Sequence, residues 1–454
     1  MTTFTNKTTV HLSRERTWQW FQEPAALSRM FPPWMKITLG KEDEKAALGA
    51  TRHITMHFAC FSKKWIAKIV QYKEPELFID EQVQGIFRSW SHQHLFHSPS
   101  PSQCEVEDII EYETPWFLPK VLFSGFVKKE LERTFSYRNR VLEADLDVIK
   151  RYEQESPLRV LISGASGLVG SELSSFLSAA GHQIFHLVRR QSKSPHEIYW
   201  NPEKKELNPE EIEGFDVLVH LSGENIASGR WTESKKRRLY DSRIVSTTTL
   251  INAFEKVTKK PKVFLCASAV GYYGSQGDSL LTESSPAGQG FLADLCQDWE
   301  AKAAKAKAFA RVVHMRFGVI LSPRGGALAK MLMPFSFGLG GILGNGRQYM
   351  SWISIDDLVY QIYHCICTNS VEGPVNFAAT KAVSNYDYTK TLGKVLGRPT
   401  IFPVPKPVAN LVFGEMAKET MLSSTRVVPQ VLNDSQAQFY YPTLESALKH
   451  LLGR

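Results

Sequence analysis

The feature that most constrains this chain is a glycine-spaced turn, Gly164-Ala165-Ser166-Gly167-Leu168-Val169-Gly170, placed directly after the apolar run RVLIS at 159–163. The pattern reads as a buried strand that passes into a helix over 168–180. Glycine at 164 permits a tight turn. Glycine at 167 lets backbone approach a pyrophosphate, and glycine at 170 lets the helix pack close to the sheet. The helix start offers N–H groups and a positive dipole end to phosphates. Gly164, Ser166, Gly167, Leu168, Val169 and Gly170 are therefore candidate cofactor-binding residues.

Beyond this turn, strand-like and helix-like segments alternate. IFHLV (184–188), DVLVHLS (216–222), KVFLCAS (262–268) and RVVHMRFGVIL (311–321) are further short apolar runs. The alternation predicts a doubly wound parallel α/β sheet over 157–400, with 401–454 as an appended segment of a small C-terminal lobe. The second strand ends in Arg189-Arg190. Sites for NAD place an acidic residue there for the ribose 2′-hydroxyl, whereas arginine accommodates a 2′-phosphate. NADP(H) is the expected cofactor. Ser268 and Arg316 end later strands at the edge where ligands of open sheets bind, and join the cofactor candidates.

Residues 1–150 have another rhythm. A helical stretch at 16–30 is broken at Pro24, and strand-like segments follow at 51–58, 63–72, 77–83, 89–97 and 104–113. Several alternate apolar with polar residues, as an antiparallel sheet with one covered face requires. A long helix over 125–149 closes the unit, with Phe126, Leu131, Phe135, Leu142 and Leu146 near helical spacing. His92, His94 and His97 fall in or just after one strand. They are expected to be solvated strand positions, and no metal site is expected.

The charge balance is +8 over 454 residues, but charges of both signs alternate, so no nucleic-acid partner is expected. The six cysteines lack paired zinc-ligand spacing and are expected to be free thiols. No run of 18 apolar residues exists to span a membrane, and the N-terminus lacks the apolar core of a signal peptide. A cytoplasmic location is the expectation. The oligomeric state is left open.

Two resemblances add to this. The element order of residues 1–150, with Pro32-Pro33-Trp34, resembles the START-like (SRPBCC) helix-grip fold, an α+β domain. The resemblance implies an apolar ligand held between sheet and last helix. The GxxGxxG spacing resembles the extended short-chain dehydrogenase/reductase superfamily, with its Rossmann-type sheet. Within it, LSGENIASGRWTESKKRRLYDSRI (221–244), ASAVGYYG (267–274), FLADLCQDWE (291–300), LGNGRQYMSWISIDDL (343–358) and GEMAKETML (414–422) resemble an epimerase-like group with an appended C-terminal segment. That resemblance implies that Leu221-Ser222-Gly223 runs past the adenosine half of the cofactor, and that a small molecule is the substrate.

The superfamily acts through Ser/Thr, Tyr and Lys, the last two as YxxxK. Ser268 fits the first role. Leu292 and Cys296 stand at the Tyr and Lys positions, and leucine cannot transfer a proton. Three readings stay open: Tyr272 or Tyr273 acts as the acid/base group; Glu224, Arg230 or Cys296 does; or the protein binds NADP(H) as a sensor without turnover. Glu224, Arg230, Cys296 and Trp352 are the substrate-side candidates. Gly338–Gly346 is expected to be a flexible lid, and Asp356 and Asp357 are expected to cap a helix starting at Leu358.

Overall fold

The computed structural model describes residues 1–40, 45–57, 61–115, 120–154 and 156–454. Cys60 and the last residue of the strand expected at 51–58 lie outside them. The chain divides into two compact units, one built on Met1–Glu155 and the other on Ser156–Ser174 and His182–Leu451.

The first unit runs β1 (Thr2–Val10), α1 (Arg14–Gln22), α2 (Pro24–Met30), β2 (Ile37–Leu39), β3 (Thr51–His57), β4 (Ser62–Lys73), β5 (Leu77–Gln84), β6 (Ser89–Ser100), β7 (Gln103–Glu113) and α3 (Lys120–Arg151). Among the described residues its seven strands form one antiparallel sheet in the order β1-β7-β6-β5-β4-β3-β2. β1 is absent from the sequence expectations because only Phe4 and Val10 of its nine residues are apolar. Tertiary pairing with β7, from Thr2↔Tyr112 to Val10↔Cys104, overrides that weak pattern. Pro24 does break the first helical stretch: it opens α2, where a missing N–H costs nothing. On α3, Phe135, Leu142 and Leu146 face the core as their spacing requires, but Phe126 is exposed and Val127 takes its place.

On β6 the inward positions are His92, His94 and Phe96, and all three are buried. The expectation of solvated histidines therefore fails for His92 and His94 and holds for His97, which is exposed. The strand lies in the middle of the sheet, so its alternate side chains go under cover whatever their polarity. The covered face is not uniformly apolar either. An aromatic cluster around Trp18, Phe78 and Phe96 and another around Phe4, Trp90, Tyr112 and Phe135 flank the polar histidines.

The second unit begins with β8 (Arg159–Ser163), α4 (Leu168–Ala179), β9 (Gln183–Val188), β10 (Glu197–Asn201), β11 (Glu206–Leu207), β12 (Val217–His220), α5 (Glu233–Phe254) and β13 (Val263–Ala269). It continues with β14 (Leu280–Leu281), α6 (Phe291–Ala303), β15 (Arg311–Phe317), β16 (Val319–Leu321), α7 (Gly326–Ser336), β17 (Tyr349–Met350), β18 (Trp352–Ser354), α8 (Ile355–Cys367) and β19 (Gly373–Phe377). β20 (Val383–Ser384), α9 (Asn385–Leu396), α10 (Lys406–Phe413), β21 (Arg426–Val427), α11 (Gln430–Asp434) and α12 (Leu444–Leu452) complete it. The main sheet has the order β11-β10-β9-β8-β12-β13-β15-β19, and every pairing in it is parallel except β10 with β11. Val160, Leu161 and Ile162 are completely buried, as strands covered on both faces must be. The strand order reverses between β8 and β12, and ligands of such sheets bind outside the strand ends at that switch point. No helix among the described residues is long and apolar enough to cross a membrane.

Candidate functional site

The turn after β8 has the geometry its glycines allow. Gly164 has φ +76°, and a Cβ there would lie 2.8 Å from the Leu221 carbonyl carbon. The two strand ends at the switch point therefore touch backbone to backbone. A Cβ on Gly170 would fall 2.4 Å from Gly164 O and 2.7 Å from Ala165 Cα, so α4 starts hard against its own turn. Gly170 thus serves helix-to-turn packing rather than the helix-to-sheet packing expected of it. Gly167 and Ser166 are exposed at the mouth, and the N–H groups of the first turn of α4 lack intrahelical acceptors. Gly325 lies beside them, with Leu168 3.5 Å from where its Cβ would be.

The two arginines at the end of β9 differ. Arg190 is locked to Glu197 by two hydrogen bonds of 2.8 and 2.5 Å, which hold that carboxyl down to about 2. Arg189 is exposed and makes no hydrogen bond or salt bridge among the described residues, and its charge helps to lower the Glu224 carboxyl. Arg190 is thus engaged in the β9–β10 connection, and Arg189 is the arginine left open to solvent.

At the ends of β13 and β15 the structure departs further from expectation. Ser268 Oγ donates to Glu300 at 2.6 Å, and Arg316 holds the same carboxylate through two bonds of 2.9 and 2.8 Å. Arg316 Nη1 donates to the Tyr273 hydroxyl at 2.8 Å, and that hydroxyl donates to Asn376 Oδ1 at 2.7 Å. Ser268, Arg316 and Tyr273 are all buried. Burial pushes the Tyr273 hydroxyl up to about 12. Buried polar groups of this kind satisfy one another. Ser268, Tyr273 and Arg316 are thus joined in one buried hydrogen-bonded network through Glu300 and Asn376. Tyr272 differs: it is half-buried, its ring lies 3.6 Å from the Arg316 guanidinium carbon, and its hydroxyl has no hydrogen-bond partner among the described residues.

The substrate-side candidates scatter. Cys296 and Trp352 are buried in the core, and burial pushes the Cys296 thiol up to about 11. Arg230 donates to the carbonyls of Leu411 and Val412, closing the C-terminal end of α10. Glu224 is half-exposed and accepts from Lys235 Nζ at 2.5 Å, which holds its carboxyl below its ordinary range. It is an ionised member of the loop beside Ser222 and Gly223. The stretch 338–346 is tied down rather than free, because Gly344 N donates to Val404 O and Leu343 N to Asn385 Oδ1. Ser354, not Asp356 or Asp357, caps α8. Asp357 instead accepts from the N–H groups of Tyr440 and Tyr441.

Sequence reasoning missed Glu300, Lys235 and Glu419. Glu419 accepts from the N–H groups of Phe291 and Leu292 and so caps α6 from a distant segment. No local spacing betrays such a cap. It also missed His220, whose Nδ1 lies 2.6 Å from Ser163 Oγ and whose Nε2 lies 3.0 Å from Thr247 Oγ1. Burial holds His220 neutral down to about 3 instead of 6.5. Between those values the unfolded chain binds the extra proton, so this contribution to stability is complete above 6.5 and declines as pH falls. Urea titrations from pH 7 to 4 are expected to show a shallower loss of stability in His220→Gln than in the parent chain.

Sequence comparison places this geometry. Residues 160–378 match the NAD dependent epimerase/dehydratase family, and 404–451 match a domain of unknown function (DUF1731). An epimerase family protein of Mycobacterium bovis is 42% identical over 296 residues, covering 65% of this chain and 98% of that protein. This chain belongs to the epimerase family. Among solved structures, a nucleoside-diphosphate sugar epimerase of Corynebacterium glutamicum is 30% identical with TM-score 0.81, covering 99% of this chain and 90% of that one. The human epimerase family protein SDR39U1, solved with NADPH, is 33% identical with TM-score 0.60 over 65% of this chain and 99% of its own. Membership in the family accounts for the parallel sheet and the glycine turn, and it fixes an NAD(P)-binding site without fixing a reaction.

Proposed function

We propose that the second unit binds NADP(H) and acts as an oxidoreductase or epimerase on a small molecule, with Tyr272 as its acid/base group. The observation that carries the cofactor assignment is Arg189, an exposed guanidinium free of hydrogen bonds and salt bridges among the described residues, at the end of β9 and one strand from the glycine turn. The human relative solved with NADPH supports the same reading. The residues present fit the group: Gly164 and Gly170 form a cradle that side chains would fill, and the start of α4 faces it. Gly164, Ser166, Gly167, Leu168 and Val169 would hold the pyrophosphate, and Arg189 the 2′-phosphate. Leu221, Ser222 and Gly223 would pass the adenosine half. When bound, the cofactor supplies or accepts hydride.

Charge-assisted hydrogen bonds contribute about 1.5–3 kcal/mol. Arg189→Ala is therefore expected to weaken NADPH binding about 10–100-fold, with NADH binding unchanged. Fluorescence titration of both cofactors tests this. Equal losses for the two would contradict the assignment.

Tyr272 carries the catalytic proposal because its ring lies against Arg316 while its hydroxyl, among the described residues, takes no part in the buried network. Stopped-flow oxidation of NADPH against a panel of small carbonyl compounds tests turnover. A positioned proton donor contributes about 100- to 10,000-fold. Tyr272→Phe is expected to lose that much in kcat with cofactor affinity intact. Tyr273→Phe is expected instead to lose about 1–3 kcal/mol of stability, since Arg316 and Asn376 would face an empty position. The second reading, NADP(H) binding without turnover, is favoured by Leu292 and Cys296 in α6. No oxidation of bound NADPH by any compound would establish it.

For the first unit we propose the START-like helix-grip class, on the order of its strands and the long closing α3. The polar patch on its covered face limits any apolar ligand to the aromatic flanks.

A further inference from the structure

The buried patch in the first unit is built from directly opposed strand positions. Asp80 on β5 pairs with His92 on β6, and Asp108 on β7 pairs with His94 on β6, so all four side chains point to the same face. Asp108 Oδ1 lies 2.9 Å from His92 Nε2 and 3.0 Å from His94 Nδ1. Asp80 Oδ2 lies 3.2 Å from His94 Nε2 and 3.9 Å from His92 Nδ1. Each imidazole therefore spans both carboxylates.

Proton counting exposes a deficit. Two neutral imidazoles carry two N–H groups, but four ring nitrogens face carboxylate oxygens. Each neutral imidazole therefore turns one ring lone pair toward a carboxylate. His94 Nδ1 shows the strain: despite its 3.0 Å approach to Asp108 it makes no well-formed hydrogen bond. Phe78 stacks on His94 at 4.2 Å and Phe135 meets the edge of His92, which keeps water from relieving the contacts. Around the cluster, Arg138 on α3 faces both carboxylates, and Asn6 on β1 is paired with Asn139 on α3.

We propose that this cluster binds one divalent transition-metal ion, with Asp80, His92 and His94 as ligands and Asp108 orienting the imidazoles. One donor atom from each of the three ligands lies within 4.8 Å of the others. The contacts of 3.2 and 3.9 Å bracket the separation of about 3.3 Å between ligands of a tetrahedral site with bonds near 2.0 Å. Imidazole with carboxylate suits the zinc class rather than calcium or magnesium. Asp108 completes the carboxylate–histidine–metal arrangement that fixes ring orientation. Three ligands leave a coordination position for water or a small anionic ligand.

Cobalt(II) reports on the site without an activity assay. The full chain, stripped with chelator, is titrated with cobalt chloride and followed by visible absorption, with bound metal counted by plasma mass spectrometry. One ion per chain, with the intense visible bands of a tetrahedral centre and displacement by zinc, is the expected result. Asp108→Asn is expected to weaken binding about 10–100-fold, as for lost outer partners elsewhere. Asp80→Asn is expected to abolish the bands while circular dichroism stays native. His97 lies with Glu105 and Glu107 in an exposed second cluster, so His97→Ala is the control and should change nothing. Absence of bands in the parent chain would overturn the proposal, as would bands lost in His97→Ala and kept in Asp80→Asn.

Discussion

Arg316→Ala is expected to destabilise the second unit by about 3–5 kcal/mol, because it leaves the Glu300 carboxylate buried without its cation. Glu300 would keep one donor, Ser268, out of the three it now has. The loss is not confined to the ion pair. Tyr273 would lose its donor, and the Glu283 carbonyl would lose Arg316 Nη1 at 3.3 Å. Urea unfolding of the full chain, followed by a probe in the second unit, measures it. A fall below about 1 kcal/mol is the size found for solvated surface pairs and would show that this one is not buried as described. The double variant Arg316→Met, Glu300→Leu is expected to recover much of the loss, since removing both charges removes the desolvation cost.

Gly170→Ala is expected to impair folding and cofactor binding together. The new methyl would meet backbone on two sides, at 2.4 and 2.7 Å, and neither neighbour is the movable end of a side chain. The turn must open, at about 1–3 kcal/mol for such overpacking. The N–H groups of α4 then leave their positions, and NADPH affinity should fall by more than about 100-fold. Gly167→Ala separates the two effects. Its methyl would meet only Gly164 O, at 3.2 Å, so the fold should survive. The methyl would nevertheless stand at the exposed mouth where the pyrophosphate must approach, so affinity alone should fall. Thermal melts run beside NADPH titrations distinguish the variants. Full NADPH affinity in Gly170→Ala would show that the turn does not hold the cofactor.

The backbone of the site was legible in the sequence because glycine has few reasons to recur at 164, 167 and 170 after a buried strand. Side-chain roles were less legible, and the reason is partner choice. Arg189 and Arg190 look alike until Glu197, on the next strand, takes one of them. Ser268, Tyr273 and Arg316 all end at the ligand-binding edge of the sheet, which is what recommended them. Glu300, 16 residues before Arg316 in the chain, turns them inward to each other. The histidines of β6 were misread for the same reason: their opposite carboxylates come from β5 and β7, and only sheet order brings them together. β1 escaped notice because its threonines carry no apolar alternation of their own.

The central claim is that the glycine turn and Arg189 make this an NADP(H) site. Native mass spectrometry of the full chain with equimolar NADPH and NADH, both in excess, tests it most directly. The expected spectrum shows the NADPH adduct as the dominant species on the parent chain, and near-equal adducts on Arg189→Ala. A parent chain that takes up NADH as readily as NADPH would contradict the claim.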